Sequence, residues 1–253
     1  MRSEARESPR IIFEDRQILV IDKPSGWTVN EAETTKGQVT IQSWLTANFE
    51  FPPQSGVPRT LSGVKELRGG IVHRLDKETS GVLLVGKTRK AFDSLQQEFK
   101  ARRVKKTYLA LVHGDIAQKP EKIASPIGRL PWNRRRFGVI PGGRDAETVF
   151  KAEQKFSIDG RILSLVHVFP KTGRTHQIRV HLKHIGHPVF GDELYAGRKT
   201  ARGDRKLCPR LFLHAESIEI THPETGLQVR FEALLAEELR LCLEGLEKMP
   251  QSK

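Results

Sequence analysis

The aliphatic run Val82–Val85 constrains the fold of this chain more than any other segment. Gly81 and Gly86 flank the run, and its β-branched and aliphatic residues are typical of a buried strand. A short polar interruption precedes the run within the segment Gly69–Thr88. Because a buried strand needs a core on which to pack, we expect the fold to be organised around this segment.

Asp76 lies in that polar interruption, where a loop meets the core. The neighbouring cations Arg74 and Lys77 favour the charged form of its carboxyl group, which can then serve as a nucleophile or a base. An alternative is an ordinary loop residue, whose side chain caps a turn with Thr79 and Ser80 and pairs with an adjacent cation. Residue types and spacing alone leave both interpretations open.

The charge balance predicts a polyanionic partner. Lys and Arg number 43 against 30 Asp and Glu, a formal net charge of +13, which favours nucleic acid over a membrane. Apolar runs such as Ile18–Ile21 are too short to span a bilayer, and residues 1–10 form a polar tail unlike a signal peptide. Cys208 and Cys242 are too few for a disulfide framework, so we expect packing residues in a cytoplasmic protein.

Along the 253 residues, more segments have the pattern of a strand than that of a helix. No sequence repeat is present. Apolar runs and alternation predict strands at Ile11–Phe13, Ile18–Ile21, Val82–Val85, Thr107–Val112, Glu147–Phe156, Arg161–Phe169, Leu211–Ala215, Ile218–Thr221 and Leu227–Glu232. Helical spacing predicts helices within Val39–Phe49, after an N-cap at Thr88, from near Thr175 to Gly186, and around Leu239–Leu246. Pro and Gly predict turns at Lys23–Gly26 and Asp159–Gly160, and loops at Phe51–Gly70 and Ala117–Arg144.

Two basic segments are candidates for contact with RNA. The loop Ala117–Arg144 interleaves Trp132 with Arg134, Arg135 and Arg136, and arginine and aromatic side chains bind phosphates and stack on bases. The alternative is a solvated loop whose Trp132 packs inward. The second segment follows the helix after Thr88 and contains more cations than a helix C-terminus needs: Lys100, Arg102, Arg103, Lys105 and Lys106.

The helix predicted near Thr175 raises two further possibilities. Arg179 lies at the margin of its apolar face, so it either faces solvent or points inward to a carboxylate or other acceptors. A metal site would use the four histidines of this region, but their spacing fits no zinc pattern and neighbouring cations such as Arg174 would repel a metal. We therefore predict no metal. The four histidines are His176, His181, His184 and His187.

Several separated segments, in family order, resemble RNA pseudouridine synthases of the RluA type. They cover the chain from about Ile11 to Ala233, which makes the resemblance specific for the family but not for one substrate. Many members also carry an amino-terminal S4 domain, which we do not expect here. The segments are VIDKPSGW at Val20–Trp27, HRLD at His73–Asp76, KTYLALVHG at Lys106–Gly114, GRTHQIRVHL through HPVFGD at Gly173–Asp192, LFLHA at Leu211–Ala215 and THPETG at Thr221–Gly226.

The resemblance implies a function and a fold. It implies an α+β catalytic domain over residues 11–247, with a mixed, mostly antiparallel sheet and flanking helices, that isomerises a uridine in RNA without a cofactor. Asp76 would be the catalytic carboxylate, Tyr108 the residue that stacks on the uracil, and Arg179 the partner of the carboxylate. Arg74 would contact RNA beside the flipped nucleotide. The further RNA-binding candidates are Arg102, Arg103, Lys105, Lys106, Trp132, Arg134, Arg135, Arg136 and Arg174.

The expected partner is structured ribosomal or transfer RNA, in the form of a stem-loop bound by a monomer. A catalytically silent RNA-binding module on the same fold is the alternative. The joint presence of Asp76, Tyr108 and Arg179 favours the enzyme, because RNA binding alone needs neither the acid nor its paired arginine. A metal-dependent nuclease would need a cluster of carboxylates or histidines that the sequence lacks.

Overall fold

A computed structural model describes residues 7–49 and 68–250, which form strands and a smaller number of helices. The strands are β1 Arg10–Glu14, β2 Ile18–Lys23, β3 Ser80–Gly86, β4 Lys105–His113, β5 Glu121–Ala124, β6 Ile127–Leu130, β7 Asn133–Val139, β8 Glu147–Ile158, β9 Arg161–Pro170, β10 Leu213–Thr221, β11 Gln228–Glu232 and β12 Glu247–Lys248. The helices are α1 Ile41–Asn48, α2 Arg89–Lys100, α3 Gln177–His184, α4 Arg198–Asp204 and α5 Glu237–Glu244.

The chain divides into two compact units. The first unit contains the residues up to Lys105 together with Ser217–Leu234, and the second contains Lys106–Glu216 and the residues from Leu235 onward. Strand β10 therefore gives its last five residues to the first unit and its first four to the second.

The first unit is organised around β3, whose seven residues are all buried. Strand β2 pairs antiparallel with β3 and with β1, and β11 pairs antiparallel with β10. Val82 and Leu84 pack against Leu95 of α2 and against Ile218 and Ile220 of β10. The predicted buried strand is confirmed, as is the predicted N-cap of α2, where Thr88 Oγ1 accepts a hydrogen bond from the Ala91 amide at 3.1 Å.

The second unit contains an antiparallel arrangement of β4, β9 and β8. The predicted alternation of β4 is confirmed, because Ala110 packs in a cluster with Leu182 of α3, whereas Leu111 packs in another with Leu239 of α5. Strands β8 and β9 are joined at the predicted turn, where Asp159 and Gly160 both have positive φ, 48° and 72°.

The prediction of a loop over Ala117–Arg144 is wrong in part. Strands β6 and β7 form an antiparallel hairpin in this segment, and β5 pairs with β8. The hairpin is stable because Ile127, Phe137 and Val139 pack with Tyr195 and Val180. Glycines and arginines between these apolar residues hide the alternation that predicts a strand.

The architecture is α+β, with a mixed, mostly antiparallel sheet and a few helices, as predicted. Residues 51–67 of the predicted loop Phe51–Gly70 lie outside the described residues. None of the helices in the described ranges has both the length and the apolar character needed to cross a bilayer.

Candidate active site

Asp76 begins a tight turn that leads into β3. The Thr79 amide donates a hydrogen bond to the Asp76 carbonyl at 3.1 Å, and Ser80 is the first residue of the strand. Leu75 and Thr79 are buried, at 4% and 2% exposure, whereas Asp76 between them is half-buried. The two buried residues therefore fix the turn in the core, and Asp76 keeps part of its surface exposed.

A second segment, Lys23–Trp27, holds this turn by its backbone. The side chain of Lys23 is fully buried, and its Nζ donates hydrogen bonds to the carbonyls of Pro24, Trp27 and Lys77 at 3.0, 3.1 and 3.2 Å. The Gly26 amide also donates to the Lys77 carbonyl, at 2.8 Å, and Ser25 Oγ donates to the Glu78 carbonyl at 2.9 Å. The sequence predicts only a turn at this segment, but the structure makes it the anchor of the Asp76 turn.

The chain that enters the Asp76 turn is fixed as well. His73 Nε2 accepts a hydrogen bond from the Leu84 amide at 2.9 Å, and its ring stacks on Phe99 with centroids 5.0 Å apart. Gly70 has a φ of 75°, and a Cβ there would lie 2.2 Å from the Gly86 carbonyl oxygen, so glycine is required. Hydrogen bonds and close packing therefore hold both ends of the turn.

In the second unit, Arg179 of α3 is a buried cation with a buried partner. Its side chain forms a bidentate ion pair with Asp192, with Nε–Oδ2 at 2.7 Å and Nη2–Oδ1 at 2.8 Å. Arg179 is 4% exposed and Asp192 is 0% exposed, so the alternative of a solvent-facing Arg179 is wrong. Asp192 Oδ1 also accepts hydrogen bonds from the amides of Leu194 and Tyr195 at 2.9 and 3.1 Å.

Tyr195 links this ion pair to the β6–β7 hairpin. The Arg179 guanidinium lies 5.0 Å from the centre of the Tyr195 ring. The Tyr195 hydroxyl accepts a hydrogen bond from the Phe137 amide of β7 at 3.0 Å and lies 2.9 Å from His176 Nδ1. His176 has a φ of 56°, a left-handed conformation that delays the start of α3 until Gln177. The second predicted site residue of this unit, Tyr108, is half-buried against the cluster that contains Ile178 of α3.

The β6–β7 hairpin, which we also call the basic hairpin, presents its candidate RNA-binding side chains to solvent. Trp132 in the turn is 78% exposed, so the alternative in which it packs inward is wrong. Arg134 and Arg135 are exposed, and Arg136 is half-buried. Arg129 of β6 supports the turn by donating from Nη1 to the Arg134 carbonyl at 2.6 Å.

The other predicted RNA-binding cations have more varied surroundings. Arg103 pairs with Glu98 at 2.6 Å and Lys105 with Glu219 at 2.5 Å, so acids within the fold already offset two of these charges. Arg102 is exposed, and Arg174 donates from Nε to the Asp145 carbonyl at 2.9 Å. Burial lowers the pKa of Lys106 to about 8, and the nearby charge of Lys171 contributes to the shift.

Three of the histidines near α3, His176, His181 and His187, take part in hydrogen bonds of the fold. His181 lies 2.9 Å from Thr148 Oγ1 and 3.0 Å from the Ser125 carbonyl, and burial lowers its pKa. His187 Nδ1 lies 2.8 Å from the His113 carbonyl. Residues 7–49 and 68–250 contain no group of three or more His, Cys, Asp or Glu side chains placed to hold a metal ion.

The sequence reasoning missed Lys23, Asp192 and Tyr195 as parts of the site. Lys23 and Asp192 lie in segments that resemble the family, and motif membership was the available signal for them, whereas Tyr195 lies outside those segments. Motif membership assigns no contact, because the partners of Lys23 and Asp192 are 54 and 13 residues away along the chain.

Comparisons with known proteins agree with the resemblance. A family model described as RNA pseudouridylate synthase matches residues 17–184. Ribosomal large subunit pseudouridine synthase D of Nitrosomonas europaea is 38% identical over 248 residues, which cover 96% of this chain and 67% of that protein. Ribosomal large subunit pseudouridine synthase C of Escherichia coli K12 is 36% identical over 244 residues, covering 93% and 69%. The structure of human RNA pseudouridylate synthase domain containing 1 has a TM-score of 0.73 and 28% identity, covering 100% of this chain and 94% of that one.

Proposed function

The chain belongs to the RNA pseudouridylate synthase family, and on that premise we propose that it isomerises a uridine of structured ribosomal or transfer RNA with Asp76 as the catalytic carboxylate. In this reaction the bond between ribose C1′ and uracil N1 breaks, the base turns, and C1′ bonds to C5. The proton lost from C5 is balanced by one gained at N1, so no oxidant, reductant or second substrate is needed.

The observation that carries the assignment of Asp76 is the anchoring of its turn. Lys23, Ser25 and Gly26 donate hydrogen bonds to the carbonyls of Lys77 and Glu78, while Asp76 itself is half-buried. A carboxylate on a rigid turn keeps one position relative to the substrate, which lowers the entropic part of the barrier. A loop aspartate that only caps its own turn would not need this external support.

The remaining roles follow from the family resemblance. We assign Tyr108 to stacking on the flipped uracil, Arg179 to the charge partner of Asp76, and Arg74 to contact with RNA beside the flipped nucleotide. The contacts of Arg179 with Asp192 and Tyr195 fix the orientation of its guanidinium.

We propose a compact stem-loop as the RNA target. The hairpin formed by β6 and β7 exposes an aromatic side chain and arginines together, a combination that suits unpaired bases next to backbone phosphates. Relatives named for the ribosomal large subunit make its RNA the first substrate to test. We further propose a cytoplasmic monomer. We take residues 11–247 as one catalytic domain, since the family match spans parts of both compact units.

Replacing Asp76 with Asn tests the proposal. This change keeps the size of the side chain and removes its negative charge, so pseudouridine formation should disappear while RNA binding and the melting temperature are retained. Pseudouridine is measured in unmodified large-subunit ribosomal RNA and in transfer RNA, and turnover is normalised to folded protein. Asp93→Asn is the matched control, because Asp93 is an exposed aspartate of α2 in the same unit and should be dispensable for turnover.

The two alternatives predict other outcomes. If the protein is a silent RNA-binding module, neither it nor Asp76→Asn forms pseudouridine. If Asp76 only caps its turn, the variant melts at a lower temperature but keeps its turnover per folded molecule. Near-normal turnover of folded Asp76→Asn protein would contradict the assignment of the catalytic carboxylate.

A further inference from the structure

Helix α4 has one strongly basic side that the function proposed above does not use. On its opposite side, Ala201 and Asp204 are buried, at 2% and 1% exposure. The exposed side and the residues that follow it carry four cations, which we call the α4 basic face: Arg198, Lys199, Arg202 and Lys206.

The four cationic side chains of the α4 basic face form no ion pair or hydrogen bond with the residues that the structure describes. Other exposed arginines do have such partners: Arg89 pairs with Asp93 at 2.7 Å, and Arg240 pairs with Glu237 at 2.5 Å. Within the same segment, Arg205 pairs with Glu193 at 3.2 Å. Like charges on one helix face repel each other, so their concentration does not serve the stability of the helix.

Buried contacts hold the helix firmly in place. Asp204 Oδ2 accepts a hydrogen bond from the Gly191 amide at 3.0 Å and lies 2.9 Å from His113 Nε2. The Asp204 carbonyl accepts from the amides of Leu207 and Cys208 at 3.0 and 2.9 Å. The α4 basic face is therefore a preformed surface, with a fixed arrangement of its backbone.

The chain that precedes α4 connects it to the candidate site of the same unit. Tyr195 lies three residues before Arg198, and it contacts both the Phe137 amide of the basic hairpin and the Arg179 guanidinium. Asp192, the partner of Arg179, lies just before Tyr195. The α4 basic face thus begins three residues after Tyr195, the residue that contacts both the hairpin and Arg179.

We propose that the α4 basic face is a second binding surface for the sugar-phosphate backbone of the substrate RNA. This inference rests on the proposed function, because it takes the polyanion to be the RNA that is modified. Exposed cations on a helix held in place, with no partner among the described residues, bind phosphates by releasing counterions, which gives affinity without sequence preference. The surface contributes to binding of the RNA outside the modified nucleotide and takes no part in the chemical step.

The test is a charge-matched pair of variants. The first replaces all four residues of the α4 basic face with Gln. The control carries Arg89→Gln, Arg161→Gln, Arg230→Gln and Arg240→Gln, which removes the same charge from exposed arginines that have acidic partners. RNA affinity is measured between 50 and 200 mM salt, with an unmodified transcript of large-subunit ribosomal RNA as the probe. Melting temperatures verify that both variants are folded.

The first variant should show a shallower dependence of log affinity on log salt, by about 0.9 for each lost phosphate contact and so by roughly 3 to 4 in total. The control should keep the slope of the unmodified protein. A charge-conserving variant, Arg198→Lys with Arg202→Lys, should also keep that slope. Equal slopes for the two Gln variants, or a shallower slope for the charge-conserving one, would overturn the inference.

Pseudouridine formation at saturating RNA separates this inference from the proposed function. The Gln variant of the α4 basic face should keep its kcat and raise KM, because only binding is changed. A protein that makes no pseudouridine before any substitution contradicts the proposed function. Equal salt slopes in an active protein contradict only the second RNA surface.

Discussion

The turn that carries Asp76 and the β6–β7 hairpin are both polar, but their polar groups are satisfied in different ways. In the turn, hydrogen bonds from Lys23, Ser25 and Gly26 satisfy backbone carbonyls inside the protein. In the hairpin, Trp132 is 78% exposed and the neighbouring arginines face solvent. The carbonyls of Lys77 and Glu78 in the turn are thus satisfied without a ligand, whereas the hairpin leaves binding capacity for one.

This difference separates two demands on an enzyme that modifies RNA. A reacting group must keep one position, because a displacement of about 1 Å can cost roughly 100-fold in rate. Groups that bind a polyanion need charge at a suitable distance and tolerate local adjustment. Substitutions in the turn should therefore reduce kcat and stability, and substitutions in the hairpin should reduce affinity alone.

Among changes to the groups that support the turn or bind RNA, the largest effect is expected for Lys23→Met. The change removes the donor to the carbonyls of Pro24 and Trp27 and one of two donors to that of Lys77, and an unsatisfied buried carbonyl costs about 1–3 kcal/mol. We expect a lower free energy of unfolding and a kcat reduced by more than about 10-fold. Denaturant unfolding and single-turnover pseudouridine formation measure the two effects. Lys90→Met, an exposed lysine of the same unit, is the control, and equal turnover of the two variants would count against the anchoring role.

An intermediate effect is expected when Arg134, Arg135 and Arg136 are all replaced with Gln. RNA binding should weaken, and the salt slope should become shallower by about 0.9 per lost phosphate contact. The melting temperature and the kcat at saturating RNA should not change, because these side chains do not support the turn of Asp76. The triple variant Arg161→Gln, Arg230→Gln and Arg240→Gln removes the same charge elsewhere and should bind normally. A lower kcat in the hairpin variant would contradict the expectation that the hairpin contributes to affinity alone.

The smallest effect concerns the pH dependence of Lys106. Its pKa is lowered to about 8, so its amine is mostly charged below pH 8 and mostly neutral above it. Phosphates attract only the charged form. The dependence of log RNA affinity on log salt should therefore be shallower at pH 9 than at pH 7, by at most about 0.9. Lys106→Arg stays charged across this range and should show the same slope at both values. An unmodified protein with equal slopes at both pH values would show that Lys106 makes no phosphate contact.

Local sequence patterns predict those strands and helices whose structure is determined by their own residues. The aliphatic residues of β3, the alternation of β4 and the N-cap at Thr88 each predict the observed element. The hairpin of β6 and β7 is different, because its apolar residues are stabilised by Tyr195 and Val180 from elsewhere in the chain. Sequence patterns contain no information on such distant partners.

The candidate site shows the same limit. The place of Asp76 beside a buried strand can be inferred from its neighbours. The burial of Arg179 depends on its ion pair with Asp192, and the position of the Asp76 turn depends on hydrogen bonds from Lys23. Neither contact follows from periodicity, because each joins residues that only the folded chain brings together.

The division of β10 between the two units affects how the protein is made. Ile218 and Ile220 complete the core of the first unit, but the ribosome synthesises the main part of the second unit before it reaches them. At about 5–20 residues per second, β10 emerges on the order of ten seconds after β3. During that interval Val82 and Leu84 lack two of their apolar neighbours, so the nascent chain carries an incomplete core. Folding of the first unit is consequently delayed until Ser217–Leu234 has been translated.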